Sequence, residues 1–388
     1  MSLLPSSVIE LTQALVRIPS VNPDGDPGTA HTGEARCAEF VARFLEHSGA
    51  EAFLDEVEPG RPNVIGRYPS NPLPDGRRKP RIVFGPHTDT VGVGGMVIDP
   101  FGGEVRDGCV WGRGASDTKG PMATMLWALH EMRDEIADLP VEVHFAGFMS
   151  EESAQLGSQH FAKHHGPYEF AIIAEPTDLK TVFRHKGCLW ADVHTTGVAA
   201  HGATPERGEN AIVKMARLVA ALDGEFRDLL MEAGGADEWL GQSTINLGLI
   251  NGGTRSNIVP DACRLRVDIR TTPGLEKHAG ALSLLRGFVA RQDSSARVTV
   301  ATEARPLNTD PNHPLVHKLV SCGAALTGAP WFCDAAFLAA AGTPSVAVGP
   351  GSIAQAHTKD EFISIDDLKS GVAFFRSFLQ GLRTLQIA

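Results

Sequence analysis

A chain of 388 residues, 43% of them hydrophobic, can build a sizeable core and exceeds what one core usually fills, which points to two domains. With 35 Lys and Arg against 46 Asp and Glu, the formal net charge of −11 and the lack of any long basic run argue against a general nucleic-acid or membrane-surface binder. Cys37, Cys109, Cys188, Cys263, Cys322 and Cys333 form no C-x-x-C pair, no apolar run approaches the roughly 18 residues that span a bilayer, and the first twenty residues carry no basic, cleavable leader, so the expectation is a soluble cytoplasmic protein with reduced thiols.

Ser7 and Glu10 form an S-x-x-E capping box that predicts a helix ending before Pro19. Cys37, Phe40, Val41, Phe44 and Leu45 recur at helical spacing, with Gly49 as the stop. Four short apolar runs follow: RIVFG from Arg81, VEVHFAGFM from Val141, FAIIA from Phe170 and SVAVG from Ser345. A helix starting near Pro121 lies between the first two. Buried strands alternating with helices predict an α/β fold with helices on both sides of a sheet.

The middle of the chain has another texture. CLWADVHTTG and RLRVDIRTT alternate in period two, STINLGLINGG runs into a glycine turn, and helical stretches near Glu209–Leu222 and Leu275–Arg291 interleave with them. These predict an inserted α+β domain over residues 186–295. The flanking 1–185 and 296–388 would form one discontinuous domain, with its sheet resuming near Val298. His144 and His194 fall inside strand patterns and read as structural.

Chemistry-bearing residues follow the buried runs. His87 and Asp89 come after RIVFG, Glu151 and Glu152 after VEVHFAGFM, Glu175 after FAIIA, and His357 in the loop after SVAVG; Asp117 precedes the Pro121 helix. In open α/β sheets, ligands collect beyond the carboxyl ends of the strands. A single acid after a strand is usually a helix cap and a Glu-Glu pair is usually solvated surface, but five such segments at one sheet edge point to a metal site. Imidazole and carboxylate donors suit two divalent ions, zinc first, with cobalt or manganese as substitutes. An Asp can bridge two ions. The His87-x-Asp89 spacing allows Asp89 to accept the other ring N–H of His87. One of the adjacent glutamates can bind metal while its neighbour moves protons.

The stretches GPHTDTV, WGRGASDTKGPMA, FMSEES, AEPT, HGATPERGENAI, GGTRSNIVPD and GPGSIAQAHTKDEF run through nearly the whole chain. In them the chain resembles the dinuclear metallopeptidases that include acetylornithine deacetylase, succinyl-diaminopimelate desuccinylase, aminoacylases and carboxypeptidase G. The last stretch looks most like the acetylornithine deacetylase branch.

The resemblance implies a mixed-sheet catalytic domain with an inserted, ferredoxin-like lid and dimerisation domain. It implies Asp117 as bridging ligand, His87 and Glu175 completing one metal site, and Glu152 and His357 completing the other. Glu151 resembles the general acid/base and Asp89 the carboxylate behind His87. His201 matches a histidine that crosses to the partner's active site, and Asn257 and Arg270 match residues near the substrate carboxylate. The activity implied is hydrolysis of the amide of a small N-acyl amino acid by a homodimer, N-acetylornithine leading. A desuccinylase or dipeptidase is the alternative, and a non-catalytic relative is remoter. Thr118 departs from the family's frequent D-M-K-G, at a position that is not a ligand.

Overall fold

Four of the buried runs become the centre of one large sheet. Glu142–Gly147, Arg81–Gly85, Phe170–Ile173 and Ser345–Ala347 lie side by side in that order, all parallel. Their Val, Ile and Phe side chains are buried on both faces, as parallel strands require. Glu51–Glu58 and Arg61–Arg67 extend the sheet antiparallel on one side, and Thr181–His185 on the other. The computed structural model describes residues 4–25, 29–73, 75–277 and 280–385.

Two compact units result, one of Met1–Phe183, Thr309–Thr327 and Cys333–Ala388, the other of Arg184–Asn308 with Gly328–Phe332. In the first, helices Val8–Val16, Ala35–His47, Lys119–Glu131 and Ile365–Gly381 share a single apolar core with the sheet. Phe84 packs edge-on against Phe375 and Phe378, with centroids 6.1 and 6.3 Å away. Each fully buried ring of this kind contributes roughly 1.5–3 kcal/mol. The first helix starts at Ser7, whose side chain accepts from the Glu10 N–H at 3.2 Å. The reciprocal half of the box shifts by one residue, because Glu10 accepts from the Ser6 N–H at 2.8 Å.

The second unit is a four-stranded antiparallel sheet ordered Thr244–Gly252, Ala262–Thr271, Gly187–Thr196, Arg297–Ala304. Helices Ala211–Ala221 and Gly280–Gln292 cover one face, with Met215, Leu218, Leu285 and Phe288 in a core with Leu189, Val193, Leu265 and Val267. Residues 278 and 279, inside the second stretch expected to be helical, lie outside the described residues. The strand-helix-strand-strand-helix-strand order is ferredoxin-like. The expected return to the large sheet near Val298 is corrected: Val298 pairs with Val193 of this smaller sheet. Arg297–Ala304 is largely exposed, as an edge strand covered on one face is, and unlike the fully buried parallel strands. At the opposite edge, Leu249 and Ile250 are 62% and 54% exposed.

Two buried histidines are expected to make the fold acid-sensitive. His144 is buried with its ring at 2.9 Å from the Tyr168 hydroxyl, and His185 is buried with Nδ1 at 2.9 Å from the Lys186 carbonyl. Burial pushes both down to about 4 from 6.5. Between these values the unfolded chain binds more protons, so stability is fully present above pH 6.5 and falls as pH drops toward 4. Each residue accounts for up to about 3 kcal/mol. Thermal melts at pH 7 and pH 5 check this: the loss in Tm should shrink in His144→Gln and His185→Gln, and an unchanged loss in both would contradict it.

Candidate active site

The parallel strands place their carboxyl ends at one edge, and the turns leaving them are tied together. Pairing continues past Gly85: Phe148 donates its N–H to the Pro86 carbonyl at 2.8 Å, and Thr88 donates to the Phe148 carbonyl at 2.7 Å. His87 is thereby held inward and buried. The loop after Ser345–Ala347 packs closely on the Glu175 turn, where a Cβ on Gly349 would meet the Glu175 carbonyl at 2.6 Å. Thr118 donates its hydroxyl to the Ala174 carbonyl at 3.0 Å and links the Asp117 turn to that of Glu175.

The two oxygens of Asp117 face two different histidines. Oδ1 lies 3.1 Å from His87 Nε2, and Oδ2 lies 3.5 Å from His357 Nε2, which is also 3.1 Å from Glu152 Oε2. His357 reaches this position from a left-handed backbone conformation, φ 62°, and its side chain is 56% exposed. Among the described residues, His87, Asp117 and Glu175 bring ligand atoms within 4.8 Å of one another; so do Asp117, Glu152 and His357, and so do His87, Glu151 and Glu152.

The donor set fits divalent cations. Glu152 Oε1 and Glu175 Oε1 are buried without a hydrogen-bond partner. His87 Nδ1 lies 3.0 Å from the Asp89 backbone carbonyl, which can only accept, so Nδ1 carries the proton. In the neutral ring Nε2 is then a lone pair aimed at a carboxylate, a contact that calls for a proton or a cation between them. Burial alone would depress His87, but its contacts with Asp117 and Asp89 carry it well above its ordinary value. Burial pushes Glu151 and Glu175 well up and raises Glu152, to which the Asp117 charge adds. Positive charge at this edge would relieve all three.

Asp89 stands behind His87, but the hydrogen bonds of its carboxylate go elsewhere. Its carboxylate stands 3.6 Å from His87 Nδ1, too far for a hydrogen bond, and the ring bonds the backbone carbonyl of the same residue instead. The carboxylate accepts from Asn22 Nδ2 at 2.7 Å and from the N–H groups of Glu151 and Glu152, each at 3.0 Å. Burial works against the charged form, but the nearby His87 ring and these bonds hold its pKa below the ordinary value. Asp89 therefore fastens the Glu151-Glu152 turn.

Three residues absent from the sequence reading complete this edge. Asn22 bridges Asp89 and Ser153. Asp334, pushed up to about 7 by burial, accepts from Ser158 Oγ. Glu361 accepts from the backbone of the Asp117 turn. Asp334 precedes the short helix Ala335–Ala340 and Glu361 sits among the charges of HTKDEF, so neither carries a sequence signal of its own.

His201, Asn257 and Arg270 belong to the second unit. The exposed His201 ring accepts the Ala203 N–H at 3.1 Å. Asn257 is its neighbour through the backbone, its carbonyl accepting the Gly202 N–H at 2.8 Å. A cavity of about 550 Å³ beside them is lined by Gly202, Asn210, Thr254, Arg255 and Ser256 among others. Arg270 is bound to Asp268, Nε to Oδ1 at 2.9 Å, and lies over the Phe332 ring.

An α/β sheet with histidines and carboxylates converging at its carboxyl edge is the arrangement of a metal-dependent hydrolase. The chain belongs to Peptidase family M20/M25/M40, whose model matches residues 83–381. It is 32% identical over 370 residues to an acetylornithine deacetylase of Proteus mirabilis, covering 92% of each chain. It is 29% identical over 371 residues to that of Vibrio vulnificus, covering 93% of this chain and 94% of the relative. The fold matches an M20 family metallo-carboxypeptidase of Sulfolobus solfataricus with a TM-score of 0.79 at 18% identity, over 98% of this chain and 100% of that one. It matches an aminopeptidase of Bacillus cereus at 0.74 and 21% identity, over 97% and 98%. No helix among the described residues is long and apolar enough to cross a membrane.

Proposed function

We propose that the chain hydrolyses the amide of a small N-acyl amino acid at a two-cation centre, with N-acetylornithine the leading substrate. The observation that carries the two-cation reading is Asp117, whose two oxygens face separate histidines while Glu152 and Glu175 each keep a buried, unpartnered oxygen. The names of the two enzymes about 30% identical over nearly the whole chain support the acyl amino acid.

In this reading Asp117 would be shared, His87 and Glu175 would hold one ion, and Glu152 and His357 would hold the other. Zinc suits the donors, with cobalt or manganese as substitutes. Bound cations supply positive charge that lowers the pKa of water and polarises an amide carbonyl. Glu151 takes the proton from the attacking water and delivers it to the leaving nitrogen. The Asp89 carboxylate keeps Glu151 in place through its backbone. Asn257 and Arg270, the latter paired with Asp268, are assigned to binding the substrate carboxylate.

The test is a panel of N-acetylornithine, N-acetylcitrulline, N-succinyl-diaminopimelate, N-acetylmethionine and simple dipeptides, assayed with zinc or cobalt. Preference for N-acetylornithine is the expected result. Preference for the succinyl compound or the dipeptides would move the chain to another specificity on the same machinery, and no hydrolysis of any would leave a binding relative.

The proposal includes a homodimer in which His201 of one chain donates to the developing oxyanion in the other. Its support is the open edge strand Thr244–Gly252 with Leu249 and Ile250 exposed, the kind of edge that pairs about a two-fold axis. Mixing inactive His201→Ala and Glu151→Ala chains should restore up to one intact site per heterodimer. Inactive heterodimers, with both variants folded and metal-bound, would place His201 outside the partner's chemistry. The setting proposed is the cytoplasm, in arginine biosynthesis.

A further inference from the structure

We propose that Glu361 is a positioning residue that preforms the Asp117 turn for metal, an inference that rests on reading Asp117 as the shared ligand. Glu361 is fully buried, and its carboxylate accepts four hydrogen bonds from one short stretch. Oε2 accepts from Arg113 Nη1 at 2.7 Å and from the Gly114 N–H at 3.0 Å. Oε1 accepts from the Ser116 N–H at 2.9 Å and the Asp117 N–H at 3.0 Å. An ionised carboxylate offers about four lone-pair sites, so residues 113–117 use its whole capacity. Converging backbone N–H groups make an anion nest, and here the anion is part of the chain.

The backbone sets this register. The Glu361 carbonyl accepts the Gly112 N–H at 3.0 Å, and the strand Phe362–Ser364 pairs antiparallel with Cys109–Trp111, Phe362 opposite Trp111. The same segment begins with His357, whose Nε2 stands at Asp117 Oδ2. One stretch of chain therefore delivers one candidate ligand and fixes the backbone of another. Glu361 touches no reacting atom, and its effect passes through Asp117.

Glu361→Gln separates this role from packing. The amide fills nearly the same space, but each carboxylate oxygen accepts two bonds. Whichever way the amide turns, its NH₂ meets two donors. Metal-stripped, full-length wild type and variant would be titrated with buffered cobalt, read by absorption and bound-metal analysis, with Asp117→Ala alongside. Glu361→Gln should bind cobalt about 10–100-fold more weakly, the scale for losing a partner behind a ligand, and excess cobalt should recover most of the turnover. A merely structural role would not give that recovery.

Wild-type affinity in a folded Glu361→Gln, with metal lost from Asp117→Ala, overturns this proposal alone. Normal binding of two ions by Asp117→Ala overturns the ligand reading and this proposal with it. If Glu361→Gln does not fold, hydrogen exchange on the metal-stripped wild type decides. Protected amides at Gly114, Ser116 and Asp117 support a preformed turn, and exchange at free-peptide rates overturns it.

Discussion

Glu151→Gln should keep two metal ions per chain while kcat falls by on the order of 10²-fold or more. The Glu151 N–H bonds Asp89 Oδ1 at 3.0 Å, and that bond does not depend on the side chain, so the turn stays in place. Glu152, next in sequence, keeps its contact with His357 at 3.1 Å. What the substitution removes is a carboxylate able to take a proton and return it. A 10²-fold loss corresponds to about 2.7 kcal/mol of barrier. Metal analysis and steady-state kinetics on one preparation check the result. Near-normal turnover would mean that another group moves the proton, and lost metal would mean that Glu151 is a ligand.

Asp117→Ala should lose both ions or most of their occupancy, and turnover with them. Each position would keep only two protein ligands in the proposed assignment, His87 with Glu175 and Glu152 with His357, where a catalytic zinc site uses three. Two cations a few ångströms apart also repel, and the carboxylate between them offsets that repulsion. The turn itself should survive, because Glu361 holds the Asp117 N–H and not its side chain. Bound metal per chain after equilibration with excess zinc is the measurement, and full occupancy by two ions would contradict the shared position.

Much of this site was legible because each contribution is local. A short apolar run such as RIVFG or FAIIA, bounded by turn residues, reads as a buried parallel strand, and the polar residue just past it then stands at the carboxyl edge. What escaped is long-range or atomic in detail. Asn22 meets Asp89 across 67 positions, and Glu361 meets Asp117 across 244; neither partner leaves a period or a motif around the other. The His87-x-Asp89 spacing suits a ring bonded to a carboxylate or to a backbone carbonyl, and only the distances, 3.6 and 3.0 Å, separate the two. Arg297–Ala304 went to the wrong sheet because an alternating edge strand carries no sign of which neighbour it pairs with.

The most direct test of a two-cation hydrolase is to strip the full-length chain of metal and return zinc or cobalt in known equivalents, following hydrolysis of the best substrate from the panel. Turnover should be absent in the stripped chain, rise with added metal and level off at two ions per chain. Full turnover in the stripped chain, or saturation with a single bound ion, would contradict it.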